Sequence, residues 1–166
     1  MLILASASKA RLELLESVGI SPDKILNTNI DETPKKSEKP LDYVSRIALE
    51  KNKSVKKKKI EIVLTADTVV ALGRRILQKP NDEEEALYFL NLLSGRRHKV
   101  YTSICIFYKE KYYQKNVKTT LKMKRLSDDE KKCYLLTDEW KGKAGGYSIQ
   151  GAASYFFPFI SGSYSN

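Results

Sequence analysis

Residues 60–72 read IEIVLTADTVVAL, a run in which apolar and β-branched side chains fill most positions. Such a run favours an apolar β-strand. Gly73 follows it directly, and residues 76–78 then predict a short returning strand. Asp67 interrupts the run, and an ionised carboxylate in an apolar strand is costly unless it is paired or binds a metal. The stretch therefore predicts a buried sheet and a functional carboxylate, with a strand-end Asp satisfied by backbone N–H groups as the alternative.

Segments with strand and helix patterns alternate on both sides of this stretch, as in α/β proteins. Further strands are predicted at residues 2–5, 99–108, 113–125 and 155–160. Helices are predicted at residues 9–17 and 41–55, after Asn81 with Glu84 as a capping-box partner, and after the capping box Ser127-x-x-Glu130. No internal repeat is visible, and only residues 33–40 resemble a linker.

The length of 166 residues suits one domain or two small lobes, with a core that needs neither disulfides nor a structural metal. Cys105 and Cys133 lack the close spacing of a zinc site or a disulfide framework. No apolar run approaches the roughly 18 residues of a membrane span, and no basic segment precedes the apolar start of the chain. These features predict a cytoplasmic protein that does not enter the membrane.

The net charge of +10 and the pI near 9.5 favour polyanions such as nucleic acid, acidic lipid or nucleotide phosphates. Only seven of the 30 basic residues are Arg, the residue best suited to base edges and phosphate forks. Much of the excess is Lys in stretches such as residues 56–59. This bias favours a solvated lysine-rich surface over a nucleic-acid site.

Lys51 occupies the apolar stripe of the predicted helix at residues 41–55. The stripe has helical spacing and consists otherwise of Val44, Ile47, Ala48 and Val55. The stem of a lysine can pack there, but its ammonium then points inward. A cation that reaches Asp67 is the functional interpretation, and a lysine that extends back to the surface is the alternative.

Residues 6–11, Ser-Ala-Ser-Lys-Ala-Arg, connect the first strand to the first helix, with Ser8 as the predicted N-cap. Cations in a first turn oppose the helix dipole, so Lys9 and Arg11 are unfavourable there unless an anion binds too. Small residues, backbone N–H groups and two cations would form a phosphate site. A capped helix without a ligand is the alternative.

Asp31 and Glu32 are adjacent carboxylates before the linker-like segment. Together with Asp67 they would form the oxygen-rich site that magnesium or manganese prefers, although solvated loop acids are the simpler interpretation. The hydroxyl of Thr68 would support such a site. Lys79 precedes Pro80 at a strand end, where it is either a phosphate ligand or an ordinary charged terminus.

The glycine-rich residues 143–151 could let a ligand approach the backbone closely, with Tyr147 as a stacking face and Gln150 reading a base edge. A cluster of β-turns without a ligand is the alternative. His98 is the only histidine, which excludes multi-histidine metal sites and makes a Ser-His-Asp hydrolase a poor fit.

Several short motifs occur in an order that resembles the Maf family of nucleoside triphosphate pyrophosphatases. They are Leu4-Ala5-Ser6-Ala7-Ser8-x-x-Arg11-x-Glu13-Leu14-Leu15, Asp31-Glu32, Arg46-x-Ala48-x-Glu50-Lys51, Ala66-Asp67-Thr68-Val69-Val70, Lys79-Pro80, Leu93-Ser94-Gly95-Arg96-x-His98-x-Val100-Tyr101-Thr102, Lys143-Ala144-Gly145-Gly146-Tyr147-x-Ile149-Gln150-Gly151 and Gly162-Ser163-Tyr164. Each motif is modest, but the ordered set spans nearly the whole chain and is highly specific.

The resemblance implies a mixed α/β fold in which helices wrap an elongated sheet into two lobes around a nucleotide cleft, with residues 1–166 as a single domain. It also implies cleavage of a nucleoside triphosphate between its α- and β-phosphates, with magnesium or manganese, to give the monophosphate and pyrophosphate. The implied residues are Asp67, Lys51 and Lys79 for catalysis, Glu32 and Asp67 for the metal, and Ser6, Ser8, Arg11, Thr68 and Gln150 for the substrate.

Thr68 and Gln150 match the branch of the family that acts on dTTP, UTP and some modified pyrimidine nucleotides. That branch usually has Pro-Arg where this chain has Lys9-Ala10, so the base preference is less firmly indicated than the reaction. Family members also continue past Gly162-Ser163-Tyr164 with an apolar strand and a helix, so the resemblance implies a chain that lacks both. A homodimer is expected by analogy only. The alternatives are a basic nucleic-acid-binding protein and a cell-division regulator.

Overall fold

The computed structural model describes residues 1–58 and 61–166, and within them the chain forms seven strands and four α-helices. The strands are β1 (Leu2–Ala5), β2 (Lys24–Leu26), β3 (Ile62–Leu72), β4 (Arg75–Leu77), β5 (Arg97–Tyr108), β6 (Lys111–Lys122) and β7 (Phe159–Ser161). The helices are α1 (Lys9–Glu16), α2 (Pro40–Ser54), α3 (Glu83–Leu93) and α4 (Asp128–Leu135), with 3-10 helices at Ala144–Gly146 and Ala152–Phe156. The predicted mixed α/β fold is confirmed. Within the same ranges, each helix is too short or too polar to cross a membrane.

The strands form a mixed sheet in the order β2-β1-β3-β5-β6-β7, with β4 paired to β3 outside this path. β1 is parallel to both β2 and β3, whereas the β3–β4 and β6–β7 pairs are antiparallel. Most residues of β3 are buried, which agrees with its apolar sequence. Residues 59 and 60, which include the first residue predicted for this strand and the end of the lysine stretch, lie outside the described residues.

The chain divides into two compact units. The first consists of Met1–Asp67, Thr102–Asn116 and Ser165, and the second of Thr68–Tyr101, Val117–Tyr164 and Asn166. The first unit buries an apolar cluster of β1 and β3 together with the apolar stripe of α2, in the residues Ile3, Ala5, Val63, Tyr43, Val44, Ile47 and Ala48. The second unit has the larger cluster, which includes Val70, Leu77, Phe89, Leu90, Leu93, Leu121, Met123, Tyr134, Trp140 and Phe156. Each unit therefore has its own apolar interior.

Several predicted element boundaries are wrong: β5 and β6, for example, span Arg97–Tyr108 and Lys111–Lys122 and not residues 99–108 and 113–125. Asp82, and not Asn81, caps α3, because its carboxylate accepts a hydrogen bond from the Glu85 backbone N–H at 2.8 Å. The backbone N–H of Asn81 instead donates to the side chain of Glu85 at 2.8 Å. The last strand begins only at Phe159, because the residues before it form a 3-10 helix that buries Phe156 completely.

The edge strand β2 and the position of the turn between β5 and β6 were not predicted, whereas a hairpin of β5 and β6 is the pairing that the sequence indicates. The short edge strand β2 forms by parallel pairing with β1. The hairpin between β5 and β6 has a tight turn at Lys109 and Glu110, whose φ angles are 48° and 61°. Turns with two positive φ angles match the twist of antiparallel strands, so the hairpin continues to its tip.

Candidate active site

Lys51 and Asp67 form a buried ion pair between α2 and β3. Lys51 Nζ lies 2.8 Å from Asp67 Oδ1, and the two side chains are 9% and 8% exposed. The period of a strand puts Asp67 on the same face of β3 as Thr65, whose hydroxyl donates to the Ala48 carbonyl at 2.7 Å. Lys51 lies one turn beyond Ala48 on α2, so the helix and the strand bring the charges together. The predicted inward direction of Lys51 is confirmed.

Glu32 joins this pair from a loop. Its Oε1 atom lies 2.9 Å from Lys51 Nζ, and its side chain is 44% exposed. Asp31, its neighbour, accepts a hydrogen bond from the Thr33 backbone N–H at 2.9 Å and is exposed. One ammonium thus contacts two carboxylates, one buried and one open to solvent.

Ser6 and Arg11 connect the end of β1 to the first turn of α1. Arg11 Nη1 donates to Ser6 Oγ at 3.0 Å, and the Ser8 backbone N–H donates to the same oxygen at 3.2 Å. Ser8 is the N-cap of α1, as predicted, but its own side chain caps no N–H group of the described helix. Ser6 is buried and orients the guanidinium at the start of the helix.

The charges of the first unit influence one another. Burial raises the pKa of Asp67 above its ordinary value, while the positive charges of Lys51 and Arg11 act in the opposite direction. Burial likewise lowers the pKa of the Arg11 guanidinium against the charges of Asp67 and Glu32. These four side chains form one electrostatic cluster, which can accept a proton at Asp67 and bind an anion at Arg11.

The two carboxylates have the chemistry of a magnesium or manganese site, because these ions prefer oxygen ligands. Within residues 1–58 and 61–166, no group of three or more His, Cys, Asp or Glu side chains is arranged to hold a metal ion. A cation bound by Glu32 and Asp67 would therefore take its other ligands from water and phosphate oxygens, which is how Mg²⁺ often binds with nucleotides. Glu32 and Asp67 are thus the residues that could hold the ion, and both also contact Lys51 Nζ.

Asn52 is a supporting residue that the sequence interpretation missed. It is fully buried, and its Nδ2 atom donates to the carbonyls of Val63 at 2.9 Å and Cys105 at 3.1 Å. These bonds attach α2 to the strands beside Lys51. Asn52 lies four residues after Ala48, which puts a polar side chain on the apolar stripe of α2. A polar residue at such a position could have been identified from the sequence.

Three of the predicted site residues belong to the second unit, and their part in the site stays a prediction. Thr68 follows Asp67 in β3 and is half-buried, whereas Lys79 and Gln150 are exposed. The amide of Gln150 donates to the Tyr164 carbonyl at 3.0 Å and accepts from the Ser148 hydroxyl at 3.2 Å. An exposed amide with exchangeable partners is suited to contact a ligand.

Tyr147 does not offer the stacking face that the sequence suggested. Its side chain is buried, and its hydroxyl lies 2.7 Å from His98 Nε2. Its ring also packs against Phe157, with 4.8 Å between the ring centroids. Tyr147 and His98 are therefore core residues of the second unit.

The chain is similar to bacterial proteins of known name. The dTTP/UTP pyrophosphatases of Ruegeria sp. strain TM1040 and Cereibacter sphaeroides are 51% and 52% identical to it, over 98% of this chain and 84% and 85% of theirs. The nucleoside triphosphate pyrophosphatase of Neorickettsia sennetsu is 51% identical over 99% of this chain and 79% of its own. The Staphylococcus aureus Ham1 protein has a similar fold, with a TM-score of 0.50 over 74% of this chain and 71% of that one, at 14% identity. Since the model of Maf-like proteins matches residues 1–166 as well, the chain belongs to the Maf family.

Proposed function

We propose that this protein hydrolyses a nucleoside triphosphate, with dTTP, UTP or a modified pyrimidine nucleotide as substrate, to the monophosphate and pyrophosphate. The observation that carries this proposal is the buried carboxylate of Asp67, paired with Lys51 in one cluster with Glu32 and Arg11. Packing gives no reason for a carboxylate inside β3, whereas hydrolysis requires a base. Relatives about half identical over nearly the whole chain carry the name of this activity.

Asp67 acts as the proton acceptor. The oxygen of a water molecule bonds to the α-phosphorus, the bond from that phosphorus to the bridging oxygen breaks, and pyrophosphate leaves. The carboxylate takes the proton of the attacking water, and burial supports this role because it raises the pKa of Asp67 and strengthens it as a base. Lys51 donates to Oδ1 and keeps the carboxylate in one orientation.

Arg11 and Ser6 bind the phosphates at the start of α1. The hydrogen bond from Arg11 to Ser6 Oγ orients the guanidinium in advance, and the positive end of the helix dipole favours an anion there. Preorganised cations of this kind stabilise charge that develops in the transition state. Lys79 would add a further cation, and Ser8, Thr68 and Gln150 would contact the substrate.

A divalent cation, magnesium or manganese, would be held by Glu32 and Asp67 and would supply neutralisation of the triphosphate charge. We also propose that the enzyme works in the cytoplasm. The support is that Cys105 and Cys133 are both free thiols, as is usual in a reducing compartment.

Pyrophosphate release from a panel of ribo- and deoxynucleoside triphosphates tests the proposal, in the presence of magnesium or manganese and after treatment with a chelator. Separation of the products shows whether the monophosphate and pyrophosphate form in equal amounts. Asp67→Asn should remove the activity. Asp82→Asn is the matched control, because Asn replaces Asp well at a helix N-cap and Asp82 caps α3.

Equal inactivity of the wild type and Asp67→Asn on every triphosphate would refute the hydrolase. If the same protein bound nucleic acid tightly and lost that binding as the salt concentration rises, the polyanion-binding alternative would replace it.

A further inference from the structure

The segment that carries Glu32, residues 31–38, forms neither helix nor strand. Its own hydrogen bonds make two local turns, one from the Thr33 N–H to Asp31 Oδ1 at 2.9 Å and one that links Lys35 and Glu38. Such turns do not determine where a segment lies on the protein. The contacts described next attach this segment to α2.

Arg46 of α2 binds this segment through a two-pronged ion pair. Its Nε and Nη2 atoms donate to the two carboxylate oxygens of Glu38 at 2.7 and 2.8 Å. Nη2 also donates to the Thr33 carbonyl at 3.2 Å, and Nη1 donates to Glu50 on the same helix at 3.0 Å. The side chains of Arg46 and Glu38 are only 16% and 9% exposed, so solvent screens this pair weakly.

Tyr43 binds the backbone of Glu32 itself. Its ring is buried, and its hydroxyl donates to the Glu32 carbonyl at 2.8 Å. Arg46 lies three residues further along α2, on the same side of the helix, with its guanidinium 5.6 Å from the Tyr43 ring centroid. Lys51 of the same helix then contacts the Glu32 carboxylate. One helix therefore contacts Glu32 at both its backbone and its side chain.

We propose that Tyr43 and Arg46 are positioning residues, which hold residues 32–38 against α2 and thereby keep the Glu32 carboxylate beside Lys51 and Asp67. The catalytic consequence rests on the proposed function, in which Glu32 binds the divalent cation. Without these bonds, the segment would have to be ordered when the cation and the substrate bind, and the lost conformational entropy would weaken that binding.

Two substitutions remove the bonds separately. Tyr43→Phe removes the hydroxyl and keeps the buried ring, and Arg46→Lys keeps the charge but loses the planar fork. Two controls remove a tyrosine hydroxyl and an Arg46 partner that make no bond to residues 31–38 in the hydrogen bonds described above. Tyr88→Phe loses a hydroxyl bonded to Arg75 at 2.9 Å, and Glu50→Gln weakens only the contact of Arg46 within its own helix.

Hydrogen–deuterium exchange of the metal-free proteins measures how firmly residues 31–38 are held. We expect Tyr43→Phe to speed exchange in residues 31–38 by roughly two- to tenfold, the effect of one lost hydrogen bond, and Arg46→Lys to speed it more. The rest of α2 and both controls should exchange as in the wild type. Unchanged exchange of residues 31–38 in both variants would overturn the proposal. If Arg46→Lys folds poorly, the exchange of Tyr43→Phe alone still decides the question.

The second measurement is the magnesium concentration that gives the half-maximal rate. It should rise in Tyr43→Phe and Arg46→Lys by about the factor seen in exchange, with kcat at saturating magnesium less affected. A fall in kcat with an unchanged magnesium dependence would also overturn the proposal. If the wild type releases no pyrophosphate from any triphosphate, the proposed function fails, and the exchange result alone decides whether Tyr43 and Arg46 hold the segment.

Discussion

Replacing Lys51 with Met should destabilise the protein, because it leaves the Asp67 carboxylate buried without its nearest cation. Met keeps an unbranched chain on the buried stripe of α2 but removes the ammonium that lies 2.8 Å from Asp67 Oδ1. The carboxylate is 8% exposed, so water cannot take the place of the ammonium. Arg11 remains, but its effect on the Asp67 pKa is smaller than that of Lys51.

The expected loss is a large part of the stability of an ordinary domain. Two unit charges at this distance attract by ~6 kcal/mol if the effective dielectric constant is about 20. Desolvation offsets much of that attraction, yet removal of one partner of a buried pair costs about 3–5 kcal/mol, which we expect for Lys51→Met. The contact between Lys51 and Glu32 adds little, because Glu32 is 44% exposed and exposed pairs contribute about 0–1 kcal/mol.

Urea unfolding at pH 7 of the wild type, Lys51→Met, Asp67→Asn and the double variant measures this loss and the coupling between the two sites. The double variant should be more stable than Lys51→Met, because it contains no unpaired buried charge. Lys131→Met is the control: Lys131 is also largely buried, but its partner Asp128 is 85% exposed, so the loss should be much smaller than that of Lys51→Met. A loss below about 1 kcal/mol in Lys51→Met, or additive effects in the cycle, would refute a coupled buried pair.

Three further predictions concern other parts of the molecule. Hydrogen bonds from Arg46 lower the pKa of Glu38 from 4.5 to about 2, so this stabilisation is present above pH 4.5 and is lost as the pH falls towards 2. Glu38→Gln should lower the free energy of unfolding at pH 7 by about 1.5–3 kcal/mol, and its free energy of unfolding should equal that of the wild type near pH 2. A difference between the two proteins that does not change with pH would contradict this. Burial lowers the pKa of His98 to about 4, so the NMR signal of this single histidine should titrate there and not near 6.5, and the wild type should lose stability between pH 6.5 and 4. Gly145→Ala should lower the free energy of unfolding, measured by heat or urea, by more than about 1 kcal/mol, because φ is 68° and the added Cβ would lie 2.7 Å from a valine side chain of β3. Gly142 has a φ of 69° and open space around it, so Gly142→Ala should lose only the stability that backbone strain costs. Equal losses in the two variants would contradict the clash.

Patterns within a single element were predicted correctly because helices and strands have fixed periods. The stripe of α2 put Lys51 among buried residues, where it lies. In β6 and just beyond it, Val117, Thr119, Leu121 and Met123 alternate with polar residues; the last three are buried and Val117 is half-buried. The capping box of Ser127 and Glu130 is also present at the start of α4, since both of its bonds lie within four residues.

Boundaries that depend on other elements were harder to predict. Asn81 and Asp82 are both good caps, and the structure uses Asp82, because the Asp82 carboxylate accepts from the Glu85 backbone N–H while Asn81 bonds to the Glu85 side chain. Tyr155 and Phe156 have strand propensity, but they form a 3-10 helix in which Phe156 packs edge-on against Tyr134. Strand β2 has only three residues and exists because β1 pairs with it, so its own sequence gives almost no signal.

The two carboxylates that contact Lys51 show where a single sequence stops being informative about a site. Asp67 attracts attention because a charge in an apolar strand is costly, and its side chain is indeed 8% exposed. Glu32 lies in a loop with its side chain 44% exposed, which is ordinary for a glutamate, so burial arguments cannot separate it from Asp31 and only the resemblance to a family did so. Its neighbourhood is made by hydrogen bonds from Tyr43 and Arg46 that reach back 11 and 13 residues, and no periodicity encodes them. Physical anomalies in a sequence therefore reveal the buried half of such a site, whereas the exposed half depends on tertiary contacts that must be observed.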